Sequence, residues 1–348
     1  MAEFISFQPS AHYSTKTYTG NSSTQNFTDI GFQPNMVWIK DRDDSYNHQL
    51  HLAVRDQPYY FLRTNNDTTG DSGSTNTVTA FTSTGFNIGD NGGCNNSGDE
   101  IVAWCWNGGT TTGLSGGTIT PSSYNINATS GLGTYKYTGT GTNGTIAHGL
   151  GAGNKFVCVK RTDYTADWKN QHPNLASSVE TLKLNTTAAE YGESDVFNST
   201  FPTDTVFSLG TDSYVNNSGG EYIAWVWCAK PGFSSMGSYV GNGNADGPFI
   251  YTGFRPAYVM IKIYSGTTKD WKIIDSARSP SNVTTKSLAA NDNAIEATSY
   301  NICDFTANGF KIRSDLNEYN GSSSYKYIYM AFAEFPIVSS NDVPGLAR

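Results

Sequence analysis

One series of motifs is written three times along this 348-residue chain, and any fold has to accommodate it. The first copy runs Tyr18-Thr19-Gly20, GFQPNMVWIK (Gly31–Lys40), NHQLHLAVR (Asn47–Arg55), FTSTGFNIG (Phe81–Gly89) and NNSGDEIVAWCW (Asn95–Trp106). The second runs Tyr137-Thr138-Gly139, GNKFVCVK (Gly153–Lys160), DWKNQHPNL, VFSLG and NNSGGEYIAWVW (Asn216–Trp227). The third runs Tyr239-Val240-Gly241, GFRPAYVMIK (Gly253–Lys262), DWKIIDSAR, FTANGFKIR and SSSYKYIYMAF (Ser322–Phe332). The matching lysines, Lys40, Lys160 and Lys262, stand about 100–120 residues apart, too far for a solenoid unit of about 20–50 residues and near the size of a small domain. The implied organisation is three tandem modules. The first spans residues 1–109, the second follows a linker within 110–232, and the third spans 233–348.

Each module reads as strands. Charged residues make up only 15% of the chain, and 36 Gly, 21 Tyr and 18 Phe accompany abundant Ser, Thr and Asn. Aromatic and β-branched side chains fill pleated surfaces, while Gly and Asn take up tight turns. The runs MVWI (Met36–Ile39), FVCV (Phe156–Val159) and YVMI (Tyr258–Ile261) are continuously apolar, as in short strands covered on both faces. In the last strand Val102, Trp104 and Trp106 share one face, as do Ile223, Trp225, Trp227 and Ile328, Met330, Phe332. The opposite face carries smaller residues, so the strand is wedged between a core and a second layer. The expected class is all-β, with three β-sandwich or jelly-roll-like modules of six to eight strands or so. Asn95 to Gly98, Asn216 to Gly219 and Asn320-Gly321 read as turns with left-handed backbone. Asn107–Gly133 reads as a linker in which ITPSSYNI supplies an extra strand, and the short Ala229–Ser238 sets modules two and three against each other.

A net charge of −8 and no basic stripe argue against nucleic acid, whose affinity comes from neutralised phosphates. No apolar run reaches the 18 or so residues of a membrane span, and MAEFISFQPSAHYSTK does not read as a secretory signal. Cys94, Cys105 and Cys158 replace ordinary hydrophobes of the other copies (Val215, Val226, and Trp38 with Met260), so they read as buried free thiols. No disulfide framework or zinc cluster is indicated.

The repeat tests each candidate for chemistry. Arg55 and Arg278 coincide, but the second copy has Leu175, so these arginines read as partners of a carboxylate or an aromatic ring. His48 aligns with Trp168 and Trp271, which points to ring packing. Of the remaining histidines, His12, His51, His148 and His172, His148 has no partner in the other copies, and no GxSxG or HExxH is present. Asp41, Asp43 and Asp44 lack the glycine and later acid of a calcium loop and read as a solvated hairpin tip. Glu100 and Glu221 match, yet Lys326 takes the third place. Gly139–Gly141 and Gly241–Gly243 lack a following helix for a phosphate loop. No catalytic, metal or cofactor-binding residue is assigned, and no cofactor. Tyr46 and the Tyr59-Tyr60 pair are candidate contacts for an outside partner.

FQPSAHYSTKTYTG with GFQPNMVWIKDRD, TIAHGLGAGNKFVCVKR, GSYVGNGNADGPFIYTGFRPAYVMIK and YIYMAFAEFP together resemble a family of tailed-bacteriophage structural proteins, common in marine phages, whose repeated domain is uncharacterised. The one departure is Asn154, where the pattern expects proline. The resemblance implies a non-enzymatic virion component, made in the host cytoplasm and released by lysis. It implies a tail fibre or appendage in host attachment, partnered by other virion proteins and by itself as a homo-oligomer, a trimer first, with a host-surface glycan as ligand. Neither nucleic acid nor membrane insertion is expected. A capsid decoration or head-fibre protein is the alternative reading, and a polysaccharide-degrading tailspike a third.

Overall fold

The computed structural model describes residues 7–70 and 74–335. The start of the amino-terminal segment and the end of the YIYMAFAEFP motif lie outside the described residues. The fold is all-β. Its helical segments among the described residues are single turns, Pro9–Ala11, Gly92–Asn95 and Ser213–Asn216.

Three wide antiparallel sheets share one strand order. The first sets Tyr13–Thr19, Glu100–Trp106, Met36–Asp41, Gln49–Leu52 and Phe61–Leu62 side by side. The third sets Ser234–Val240, Lys326–Phe332, Tyr258–Ser265, Lys272–Asp275 and Leu288–Ala289 in the same sequence. The middle sheet repeats it with Leu132–Thr138, Glu221–Cys228, Lys155–Arg161, Lys169–Gln171 and Glu180–Lys183, and adds Ser123–Asn127 and Tyr191–Gly192 at its edges. In each, the last long strand inserts between the first two. Trp106 therefore lies beside both Tyr13 and Met36, and Trp227 beside both Leu132 and Phe156.

The apolar runs are continuous because both faces of each wide sheet are covered. Outer faces carry small sheets. Phe27, Phe86 and Ile88 pack on Val37, Ile39, Ala103 and Cys105. Ile146, Phe207 and Leu209 pack on Val157, Val159 and Val226. Ile250, Phe310 and Ile312 pack on Val259, Ile261 and Ala331. The inner faces all meet one another. A single apolar cluster joins Trp38, Trp104 and Trp106 with Trp168, Trp225 and Trp227 and with Met260, Trp271, Met330 and Phe332. At its centre the rings of Trp106, Trp227 and Phe332 touch pairwise, with centroids 5.4, 5.1 and 5.7 Å apart. Each such ring buries about 150–250 Å², so this shared core is the largest apolar contribution in the molecule.

Two expectations are amended. Asn107–Gly133 is no free linker, because it bridges strands through Thr110 with Ile126 and Gly117 with Ile146, and Ile119 is buried; its extra strand, Ser123–Asn127, forms as read. Asn95, Asn216 and Asn320 do not serve by left-handed backbone, which falls on Gly98 and Gly219, with φ of +94° and +76°. They are wholly buried and act through their side chains. Asn95 Nδ2 donates to the carbonyls of Ser23 and Gly89 while its Oδ1 accepts from Asn21 N–H. Asn216 and Asn320 hold the loops at Thr140–Thr142 and Asn242–Asn244 in the same way.

Candidate functional site

Many of the residues with chemical credentials in the sequence are spent on joining the sheets or on packing within them. His48, Trp168 and Trp271 occupy the same place, and each ring donates an N–H to a main-chain carbonyl of another sheet. His48 reaches Ala289 O at 2.9 Å, Trp168 reaches Arg63 O at 3.1 Å, and Trp271 reaches Lys183 O at 3.0 Å. The first sheet thus grips the third, the second grips the first, and the third grips the second. Lys40, Lys160 and Lys262 are fully buried just beneath. Lys160 Nζ donates to the carbonyls of Asp67, Arg161 and Ala166, and Lys262 Nζ to those of Thr187 and Lys269. Burial lowers these ammonium groups, Lys40 and Lys160 to about 8 and Lys262 to about 7. Three carbonyl acceptors around Lys160 call for all three of its protons.

The histidines are neutral packing groups. His48 Nδ1 accepts from the Trp38 indole at 2.9 Å, so its proton sits on Nε2. His148 Nδ1 accepts from Leu150 N–H, and its Nε2 donates to Thr203 O. His172 does likewise between Asn174 N–H and Tyr329 O. His51 donates from Nδ1 to Pro58 O. Burial pushes His48, His51 and His172 down to about 3 and His148 to about 4. The five cysteines are free and buried, and burial raises their thiols, Cys94 and Cys303 to about 12. Such thiols are poor nucleophiles.

Arg278 takes both roles foreseen for it. Its guanidinium lies 2.5 Å from Asp275 and 2.8 Å from Glu296, and stacks 5.4 Å from the ring of Trp104. Trp104, in the first sheet, also donates its indole N–H to Asp275 at 2.9 Å, and Arg42 reaches Glu296 at 2.8 Å, so the cluster welds the first sheet to the third. Arg55 lies over the Tyr60 ring. Asp41 is no part of a solvated tip. It is buried at the end of its strand, where Oδ1 accepts the N–H groups of Asp43 and Asp44 and burial raises the carboxyl to about 6. Glu100 is exposed and pairs with Arg42, and Glu221 and Lys326 are exposed without converging. Gly141 and Gly243 form left-handed turns beside the buried asparagines. Among the described residues no group of three or more His, Cys, Asp or Glu is placed to hold a metal ion, and no helix is long and apolar enough to cross a membrane.

Among the described residues, a cleft opens at the rim of the first sheet and another at the rim of the third. The first encloses about 340 Å³ between Tyr46, Gln49, Phe61, Arg63, Asn91 and Gly92. The second encloses about 470 Å³ between Lys269, Lys272, Tyr300, Asp315, Glu318 and Tyr319. Of the tyrosines proposed as outside contacts, Tyr46 reaches such a cleft, whereas Tyr59 and Tyr60 pack edge-to-face on each other at 5.1 Å and are half-buried. Tyr300 lies in a loop outside the repeated motifs, where the sequence carries no signal for it. A family model described as a domain of unknown function (DUF7483) matches residues 8–336. No curated protein matches the chain.

Proposed function

This chain belongs to that family, and we propose that it is a non-enzymatic bacteriophage virion structural protein, a tail fibre or tail appendage that contributes to host attachment. The observation that carries the reading is the division of labour among its side chains. His48, His172, Lys160, Lys262 and Arg278 make contacts across sheets and the cysteines are buried, while the rings of Tyr46 and Tyr300 stand at polar clefts on the rim. A rigid body with adaptable Tyr, Asn and Ser contacts at its edge suits recognition. In this role it meets other virion proteins and a host-surface glycan, and assembles as a homo-oligomer, a trimer first.

Immunogold electron microscopy of purified particles, with serum raised against this chain, tests the placement. Label on tails or their fibres supports the reading. Label at symmetric positions on heads overturns it in favour of capsid decoration, and absence of label from intact particles overturns both. Loss of polymer viscosity on incubation with bacterial polysaccharide would instead make the protein a depolymerase.

A further inference from the structure

The two rim clefts occupy one structural position. Gln49 pairs with Ile39, Lys169 with Val159 and Lys272 with Ile261, so these three residues hold the same place in their sheets. Gln49 lines the first cleft and Lys272 the third. In the second sheet that place is filled from within. The Lys169 ammonium meets the Glu193 carboxylate, lies 3.0 Å from Tyr191 Oη and sits 5.2 Å from the Tyr214 ring. Lys183 beside it pairs with Asp167 at 2.8 Å and lies over the same Tyr191 ring. One sheet carries its own aromatic and polar occupants, and the other two leave the place open.

The open clefts are made alike. A buried polar floor is held rigid by hydrogen bonds, and an exposed or half-exposed ring stands above it. In the first, Gln49 Nε2 donates to Asn91 Oδ1, and Asn91 Nδ2 donates to Ser74 Oγ at 2.9 Å. Glycine at 92 and 93 keeps the cleft open, since a Cβ at Gly92 would lie 2.9 Å from Tyr46 Oη and one at Gly93 2.5 Å from Gln49 Nε2. In the third, Tyr319 donates to Ser287 Oγ at 2.9 Å on the floor, Lys269 pairs with Glu318 at 3.3 Å, and Tyr300 is 53% exposed at the mouth.

We propose that the third-sheet cleft, and its smaller counterpart in the first, bind a short saccharide, one or two pyranose rings. Ligand sites run from about 300 to 1,000 Å³, so both clefts are large enough. The third-sheet lining sets the ammonium groups of Lys269 and Lys272 and the Asn317 amide beside the carboxylates of Asp315 and Glu318, and the first sets the amides of Asn47, Gln49 and Asn91 beside Arg63. Both suit hydroxyl groups that give and take hydrogen bonds. An aromatic face beside them covers the apolar C–H face of a sugar ring. Phosphate is disfavoured, because Lys269 and Lys272 are each already matched by a carboxylate, Glu318 and Asp270. The inference deepens the attachment reading and rests on it for biological meaning, while its chemistry is tested separately.

The test is titration of the full chain with mono- and disaccharides covering neutral, N-acetylated and acidic hexoses, followed by saturation-transfer NMR and calorimetry. Saturable binding to at least one is expected, weakened tenfold or more by Tyr300→Ala and by Asp315→Ala, with unfolding midpoints unchanged because both positions lie in rim loops. A Lys169→Ala control in the filled second site leaves the affinity intact. Absence of binding to every sugar overturns the proposal, and so does binding that both cleft variants leave unchanged. Gold label on tails with no sugar binding sinks this inference alone; sugar binding with label on heads sinks only the attachment reading.

Discussion

The indole of Trp106 packs against that of Trp227 at 5.4 Å between ring centroids, although the two residues belong to different sheets. Phe332 of the third sheet completes the triangle. Residues that stand at one position in a repeated motif thus meet at one point in space. The consequences are energetic, and four can be measured.

Trp271 and Trp227 are both buried indoles of the central core, but only Trp271 donates its N–H, to Lys183 O; the Trp227 Nε1 has no partner among the described residues. Replacing either by Phe removes similar ring area. Trp271→Phe also strands a carbonyl at a junction between sheets. Urea unfolding should therefore show Trp271→Phe to be the costlier by about 1 kcal/mol, the net worth of one hydrogen bond.

Arg278→Met should be among the most damaging single changes. It leaves Asp275 buried beside Trp104 without its counter-charge and Glu296 with Arg42 alone. Breaking one side of a buried pair costs about 3–5 kcal/mol. Arg278→Lys should recover little of this, because one ammonium cannot replace the fork that meets Asp275, Glu296 and Ile273 O together. Chemical unfolding at neutral pH reads both.

Acid should begin to loosen the fold at about pH 6.5, before most carboxylates are protonated. His48, His51 and His172 protonate at about 3 and His148 at about 4 when folded, against 6.5 for an ordinary histidine. Depressed folded values mean that the unfolded chain binds more protons between those limits. Stability is therefore fully present above 6.5 and drains away as pH falls toward 3, by about 1.4 kcal/mol per pH unit for each histidine. Asp41, raised to about 6, works in the opposite sense as pH falls from 6 to 3.8, as do Glu190 and Asp212, also raised by burial. Asp163, Asp167, Asp270 and Glu296, held low by their partners, add to the loss. Urea midpoints from pH 7 to 4 should fall, and His148→Gln should flatten the slope.

Asn95→Asp is nearly isosteric, yet it replaces the amide that donates to Ser23 O and Gly89 O with an acceptor-only oxygen. A loss of about 2–3 kcal/mol is expected from two unmet carbonyls and a buried charge. Asn216→Asp and Asn320→Asp should behave alike, since their side chains make the same bonds in their own loops.

Much of this was legible in the chain. Alternation put Val102, Trp104 and Trp106 on one face, and the alignment of His48 with Trp168 and Trp271 marked a ring position. Periodicity says that a face is buried but not what buries it, so the meeting of three faces at one core was not foreseeable from spacing. Asn95 was misread because Asn in a Gly-rich turn looks like a backbone residue, whereas its work is done by partners more than 70 residues away in sequence. The buried ammonium of Lys160 depends on the Asp67 carbonyl of another sheet in the same way. The clefts, built from turns far apart in sequence, left only Tyr46 as a trace.

The shared core makes the central claim: three sheets, one cooperative unit. Differential scanning calorimetry of the full chain, with Trp227→Ala for comparison, tests it most directly. The account predicts one transition whose calorimetric and van't Hoff enthalpies agree, shifted as a whole by the substitution. Two or three separable transitions, with only the second sheet's affected by Trp227→Ala, would contradict it.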